Sequence, residues 1–234
     1  MSFLLAQIEL RDRTGGTDSC VLENGFCPTW IRENLSEYVE PTQRHLELVV
    51  SSVALGFAIA FLLALLAHRR RFLVGPITGA TGVLYTIPSL ALFALLLPIT
   101  GFGFLPALLA LSGYNLLVIF RNVMAGLDNV PAEAKDAALG MGLTENQVLR
   151  RVELPLAIPE IVAGLRIATT TTVGLAALAF IAGAGGLGGQ ILTDPNFKSN
   201  IVVAGGLCVV MAILLDLLLV VAERVASPWK RATA

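Results

Sequence analysis

Five long apolar runs leave this chain few ways to fold. They extend from Leu46 to Ala67, Ile77 to Leu97, Phe104 to Phe120, Ile161 to Gly183 and Ile201 to Ala222. A helix needs about 20 mainly apolar residues to cross the hydrocarbon of a bilayer, and each run approaches that length. Hydrocarbon offers the backbone no hydrogen-bond partner, so such spans pair their own N–H and C=O groups as α-helix. The runs therefore predict an all-α, polytopic membrane helix bundle. Composition agrees, since 56% of the 234 residues are hydrophobic and 14% charged, against about a quarter charged in soluble domains. One bundle accounts for the length, divided into an N-terminal segment 1–45, a membrane domain 46–226 and a tail 227–234. The formal net charge of −1 says nothing for nucleic acid, and no basic run or aromatic–basic stripe suggests it.

Charges between the runs set the orientation. Arg69, Arg70 and Arg71 follow the first run; Arg121, Lys135, Arg150 and Arg151 lie between the third and fourth; Arg166 sits near the entry of the fourth; Arg224, Lys230 and Arg231 follow the fifth. With the N-terminus outside, all of these share one side, leaving Arg11, Arg13, Arg32, Arg44 and Lys198 on the other. The positive-inside rule then predicts an outer N-terminus, with the segment 126–159 and the C-terminus in the cytoplasm. Met1 to Leu10 lack a basic n-region, so insertion rests on the spans rather than on a signal peptide. An outer N-terminus would put Cys20 and Cys27 where a disulfide forms, whereas Cys208 reads as a small core residue. His45 and His68 flank the first run too far apart for a metal site and are expected at the two interfaces. Trp30, Ile31, Leu35, Tyr38 and Val39 predict an amphipathic helix over Trp30 to Glu40, lying on the outer surface of the bilayer.

Proline and glycine crowd the second run and its borders, at Gly75, Pro76, Gly79, Gly82, Pro88, Pro98, Gly101 and Gly103. Helix breakers at membrane depth are tolerated where neighbours or water satisfy the freed backbone, so this span is expected in the interior, kinked at Pro88. Gly75 and Gly79 also have the spacing that lets helices approach closely. After the fourth run, AFIAGAGGLGGQ from Ala179 to Gln190 predicts an irregular outer turn, with Gly185, Gly186 and Gly188 as hinge positions alongside Pro88. No Lys-Ser/Thr follows these glycines, so they do not make a phosphate-binding loop.

Between the third and fourth runs lies PAEAKDAALGMGLTENQVLRRVELPLAIP, from Pro131 to Pro159. Ala132 to Ala138 are strong helix formers, with Pro131 suited to the first helical position and Gly140 and Gly142 to a helix end and turn. Thr144 is a capping residue for a second short helix, its hydroxyl near Gln147. Ala134, Ala137 and Ala138 give a small, smooth face, bordered by Glu133, Lys135 and Asp136. Such a face suits docking by shape, with charge fixing the register.

The spacing Asp136-Ala137-Ala138, Gly142, nine residues, then Val152-Glu153-Leu154-Pro155 resembles the signature of the membrane-spanning subunits of ATP-driven, binding-protein-dependent (ABC) importers of type I. Relative to that signature, Asp136 replaces glutamate and Val152 replaces isoleucine. The resemblance reaches from about residue 28 to 226. Tyr85-Thr86-Ile87-Pro88-Ser89-Leu90, Pro98-Ile99-Thr100-Gly101, Arg121-Asn122, Gly140-Met141-Gly142, Gly164-Leu165-Arg166 and the glycine run after Phe180-Ile181 are similar to the branch importing glycine betaine, choline and carnitine. It implies that Glu133, Ala134, Asp136, Ala137, Ala138, Gly140, Gly142, Leu154 and Pro155 form a coupling helix and its flank, gripped by a separate ATPase. The implied setting is a prokaryotic cytoplasmic membrane, with lipid around the spans, a second permease copy or homologue, ATP and Mg on the ATPase, and a separate solute-binding protein, since no binding domain precedes Ala234.

The chain itself carries no G-x-x-x-x-G-K-[ST], so it is read as non-catalytic. The expected passage lining is uncharged: Tyr85, Thr86, Ser89, Tyr114, Asn115 and the threonines Thr169, Thr170 and Thr172. Alternatives are a permease for another small solute, such as an amino acid, or an ion-gradient-driven transporter or channel. The last would need an ionisable group at mid-membrane, and Asp216 is the candidate, though its position near Glu223 and Arg224 favours a packed polar contact.

Overall fold

The structure is a computed structural model and describes residues 19–227. The expectations for Met1 to Leu10, and for the tail beyond Ser227, lie outside the described residues. Every regular element among those described is helical: α1 Ser19–Leu22, α2 Pro28–Asn34, α3 Val39–Arg69, α4 Val74–Thr86, α5 Ser89–Thr100, α6 Phe104–Asp128, α7 Ala132–Gly140, α8 Glu145–Val148, α9 Leu154–Ala176, α10 Leu187–Thr193 and α11 Lys198–Ala226. Short 3₁₀ turns join several of them, and a π-helical stretch, Leu149–Glu153, leads into α9. Three helical segments are each long and apolar enough to cross a membrane: 28–69, 104–128 and 198–226.

The second apolar run is a broken span. Helices α4 and α5 bend by 97° at Ile87–Pro88, far beyond the kink expected at Pro88. Pro88 removes a donor and disfavours helix at Ile87, whose ψ of 127° is extended. The carbonyl freed there accepts a hydrogen bond from the Tyr114 hydroxyl of α6. Gly75, Gly79 and Gly82 have no atom within 4 Å of where a β-carbon would stand. The glycine face of α4 is therefore open in this chain, not interior as its composition suggested.

Two apolar clusters stack along the bundle. One contains Leu48, Phe93, Leu111, Val173 and Leu187; the other contains Ala64, Phe120, Leu127, Leu149 and Ile161. Helix α6 packs along α3 and α9, and α9 also meets α11. Missing side chains allow these approaches: a β-carbon on Gly56 would lie 2.7 Å from Asn115 Cβ, and one on Gly164 would lie 2.5 Å from Asn122 Cβ. Helix α9 carries Glu160, Arg166 and four threonines and ends at Ala176, earlier than the expected Gly183. Its Arg166 forks onto Asp216 of α11, at 2.7 and 2.9 Å, the packed polar contact expected of Asp216.

The N-terminal segment is folded against the bundle and runs on into the first span. Cys20 and Cys27 are bonded to each other. The Cys27 backbone N–H donates to Ser199 Oγ at 2.7 Å, and the Ser199 hydroxyl donates to the Gly25 carbonyl at 3.1 Å. Trp30 meets Phe197 edge-on at 4.7 Å, and buried Tyr38 donates to Asn200 Oδ1 at 2.5 Å. The expected surface helix over Trp30 to Glu40 is instead α2, a 3₁₀ turn and the start of α3, because its aromatic side chains find protein partners. The first span helix accordingly begins at Val39 and not near Leu46.

Candidate coupling surface and passage

Helix α7 lies at the end of the bundle where α3 ends in Arg69, its Lys135 and Leu139 bordering the same cavity as His68 and Arg69. Pro131 precedes its first turn as the cap, and the Pro131 carbonyl accepts from Ala134 N–H at 3.2 Å. The helix closes at Gly140; Gly142 then takes φ +86°, a left-handed value that glycine adopts without strain, while Leu143 N–H returns to the Ala138 carbonyl at 3.2 Å. Thr144 N–H donates to Gln147 Oε1 at 2.8 Å, and the two residues form a capping box at the start of the second helix.

Glu133, Asp136, Ala137, Gly140 and Gly142 are exposed, Ala134 is half-buried and Ala138 is buried, with α7 packing on α8 and the π-helical stretch. The three alanines thus do not form one free face. The exposed apolar surface comes from Leu139 and Met141, 47% and 74% exposed, which sequence reasoning missed. Leu154 packs into the second apolar cluster, and Pro155 borders a shallow cleft with Arg151, Val152 and Leu156.

Lys135, expected as a border charge, turns inward. Its Nζ lies 3.0 Å from Glu153 Oε1, while His68 Nε2 lies 2.9 Å from Glu153 Oε2. The carboxylate accepts, so Nε2 carries the hydrogen; the buried His68 Nδ1 has no hydrogen-bond partner. Beside this pair, Arg69 donates to Asn146 Oδ1 at 2.6 Å. These residues and Leu139 border a cavity of about 530 Å³ between the end of α3 and α7–α8. His68 therefore stands in an ion-pair cluster rather than at a bare interface.

The candidate passage residues are divided between two environments. Tyr85 and Thr86 are exposed on the open side of α4, and Ser89 is half-buried at the start of α5. Tyr114 is buried, edge-on to Tyr85 at 5.8 Å. Asn115, Thr169 and Thr172 are buried between helices, and the Thr172 hydroxyl lies 2.9 Å from Asn115 Oδ1 and 2.6 Å from the Ala168 carbonyl. Thr170 is half-buried and bonds back to the Arg166 carbonyl at 3.0 Å. Among the described residues, no group of three or more His, Cys, Asp or Glu side chains stands together as a metal site.

At the opposite end, His45 is fully buried, not interfacial, and its Nε2 donates to the Val173 carbonyl at 3.0 Å. That carbonyl is free because Ala177 N–H bonds to Gly174, one residue short of the α-helical partner. Gly183, Gly185 and Gly186 all have positive φ. Gly186 lies against His45 Nδ1, and Gly188 against the Ala177 carbonyl, where a β-carbon would stand 1.6 Å from the oxygen. The glycine loop before α6, with Gly101 and Gly103 at positive φ, meets this one, Gly103 N–H donating to the Ala182 carbonyl at 2.7 Å.

With this arrangement in view, the similarities to known proteins are specific. Residues 53–228 match the family described as binding-protein-dependent transport system inner membrane component. The chain is 35% identical over 202 residues to the glycine betaine/carnitine/choline transport system permease protein OpuCB of Bacillus subtilis (strain 168), covering 86% of this chain and 93% of that protein. It is 38% identical over 206 residues to the osmoprotectant import permease protein OsmW of Salmonella typhimurium (strain LT2), covering 85% and 96%. Among solved structures, a chain of the MetNI methionine ABC transporter in inward-facing conformation aligns with TM-score 0.67 at 25% identity, over 84% of this chain and 96% of that one.

Proposed function

The chain belongs to the family of binding-protein-dependent transport system inner membrane components, and from that premise we propose that it is the pore-forming permease subunit of an ATP-driven importer for small quaternary-amine osmoprotectants: glycine betaine, choline, carnitine or a close analogue. The observation that carries this reading is α7, a short helix with Glu133, Asp136, Ala137, Gly140 and Met141 exposed at one end of the bundle. A linker between α6 and α9 has no need of such a helix. ATP and Mg belong on separate ATPase subunits, which grip α7 and the flank at Leu154 and Pro155. A second copy or homologue completes the pore, and a separate binding protein delivers the solute.

Closure of the ATPases on nucleotide would draw two copies of α7 together and rock the spans to open the passage outward, a rigid-body transition. Tyr85, Thr86 and Ser89 are offered as wall of the passage, with Tyr114, Asn115, Thr169, Thr170 and Thr172 holding the helices that bear it. Pro88 at the 97° bend and the positive-φ Gly185 and Gly186 are the proposed hinges, with Gly188 a packing point beside them. The N-terminus is assigned to the outside, the C-terminus and α7 to the cytoplasm. Two features support that: the arginine-rich end of the bundle, and the Cys20–Cys27 disulfide at the other end, a bond that suits an oxidising compartment. An ion-gradient-driven carrier finds no support at Asp216, whose two oxygens are occupied by Arg166.

The test is co-purification with the ATPase and uptake of labelled betaine, choline and carnitine in proteoliposomes carrying permease, ATPase and binding protein. Ala137→Glu and Gly142→Asp are expected to lose both assembly and uptake, the first by placing a charge in the docked face and the second by straining a left-handed turn. Unchanged assembly in both variants, or wild-type uptake that continues without any ATPase, would remove the reading.

A further inference from the structure

Covalent continuity ties the cytoplasmic segment 131–153 to α6 and α9, its neighbours in the chain. Its polar links to the first span, α3, run through side chains of that helix's last turn: His68 to Glu153, and Arg69 to Asn146. We infer that Glu153 is a positioning residue for energy coupling, holding α7 to the end of α3 so that movement of α7 is delivered to the first span directly. The inference rests on the reading of α7 as the element an ATPase moves.

Three observations carry it. First, one carboxylate holds two elements, with Oε1 on Lys135 of α7 and Oε2 on His68 of α3, so losing its charge releases both at once. Second, this link is sheltered, the side chains of His68 and Glu153 being 12% and 10% exposed, whereas the Arg69–Asn146 bond is exposed and open to competition from water. Third, the space between the end of α3 and α7–α8 is a cavity of about 530 Å³ rather than packed side chains. Leu149 joins the segment to the second apolar cluster, which also holds Ala64 of α3, and the ion-pair cluster is the link that reaches across the cavity itself.

Local helix geometry sets this up. The π-helical stretch Leu149–Glu153 inserts a residue just before α9. One inserted residue rotates what precedes it by about 100° about the axis, and such turns recur at functional sites. Glu153 is thereby directed at His68 and Lys135, while Arg150 and Arg151 remain exposed. The residue occupies the open position of Val-x-Leu-Pro, where the motif itself gives no role.

The experiment measures solute moved per ATP hydrolysed by the complete complex in proteoliposomes. Glu153→Gln keeps the shape, leaves the exposed face of α7 intact and removes the charge. It is expected to assemble with the ATPase and hydrolyse ATP while the transport-to-hydrolysis ratio falls about tenfold. A merely structural defect would lower complex yield, or lower both rates together, at constant ratio. His68→Gln and Lys135→Gln each cut one half of the link and should also lower the ratio, whereas Arg69→Ala should change it by less than roughly twofold. If Glu153→Gln fails to assemble, the two half-link variants decide, and a wild-type ratio in either one overturns the inference. A Glu153→Gln complex as well coupled as wild type overturns it outright while leaving the docking reading standing; a wild-type chain that does not bind the ATPase sinks the docking reading first.

Discussion

At Gly188 an added methyl group has nowhere to go, because its carbon would stand 1.6 Å from the Ala177 carbonyl oxygen. The obstacle is backbone, which does not swing aside as a side chain tip would. Gly188→Ala is expected to separate α10 from the end of α9 and destabilise the fold by about 2–4 kcal/mol, the range for forced overpacking at its upper end. Thermal unfolding in detergent would register it, and an unchanged midpoint would show that the close approach is not kept in solution. The glycine run was legible as a turn, but not the division of labour within it. Gly183, Gly185 and Gly186 supply left-handed backbone, while Gly188 supplies space; composition does not distinguish these uses. Lys135 and His45 carry the same lesson. Hydropathy puts both at a polar border, yet one side chain turns to a buried carboxylate and the other to a carbonyl freed at a helix end.

Among the elements, the broken span α4–α5 has its bend tied to α6 by a side-chain hydrogen bond. Proline explains why the helix stops at Ile87; the Tyr114 hydroxyl on α6 satisfies the carbonyl exposed by the stop. Tyr114→Phe keeps the ring against Tyr85 and leaves that carbonyl unpaired at membrane depth, a cost of about 1–3 kcal/mol. The expected outcome is a lower unfolding midpoint in detergent and faster proteolysis near the bend. Indifference in both would mean that another donor holds Ile87. The run itself was readable as a span with breakers, but its sharp bend was not. A proline fixes where a helix ends; the direction of the next helix is set by the surfaces it packs on. The same holds for the segment Trp30 to Glu40, whose amphipathic pattern fits a bilayer surface and a protein surface equally well.

For the molecule as a whole, the decisive property is its polarity across the membrane. The disulfide-bonded segment and the glycine loops cap one end; α7, α8 and the arginines cap the other. In a background carrying Cys208→Ser, single cysteines at the exposed positions Ser36 and Met141 should respond oppositely to a membrane-impermeant maleimide applied to intact cells. Ser36→Cys is expected to label before lysis and Met141→Cys only after it. Labelling of Met141→Cys in intact cells would invert the molecule and leave no ATPase able to reach α7.

The sequence by itself determined the membrane class, the charge asymmetry and the helix–turn–helix over Pro131 to Glu153, because hydropathy, helix propensity and capping are properties of neighbouring residues; of the five runs read as spans, three are single helices of crossing length among the described residues, one is the bent pair, and α9 is not among them. Only the tertiary structure decided which side chains meet across the bundle: Gly56 with Asn115, Gly164 with Asn122, Arg166 with Asp216, and Glu153 with both His68 and Lys135. Those pairings depend on how far each helix is rotated and shifted against the next. Sequence period fixes a helix's faces, but not the rotation and depth at which they meet.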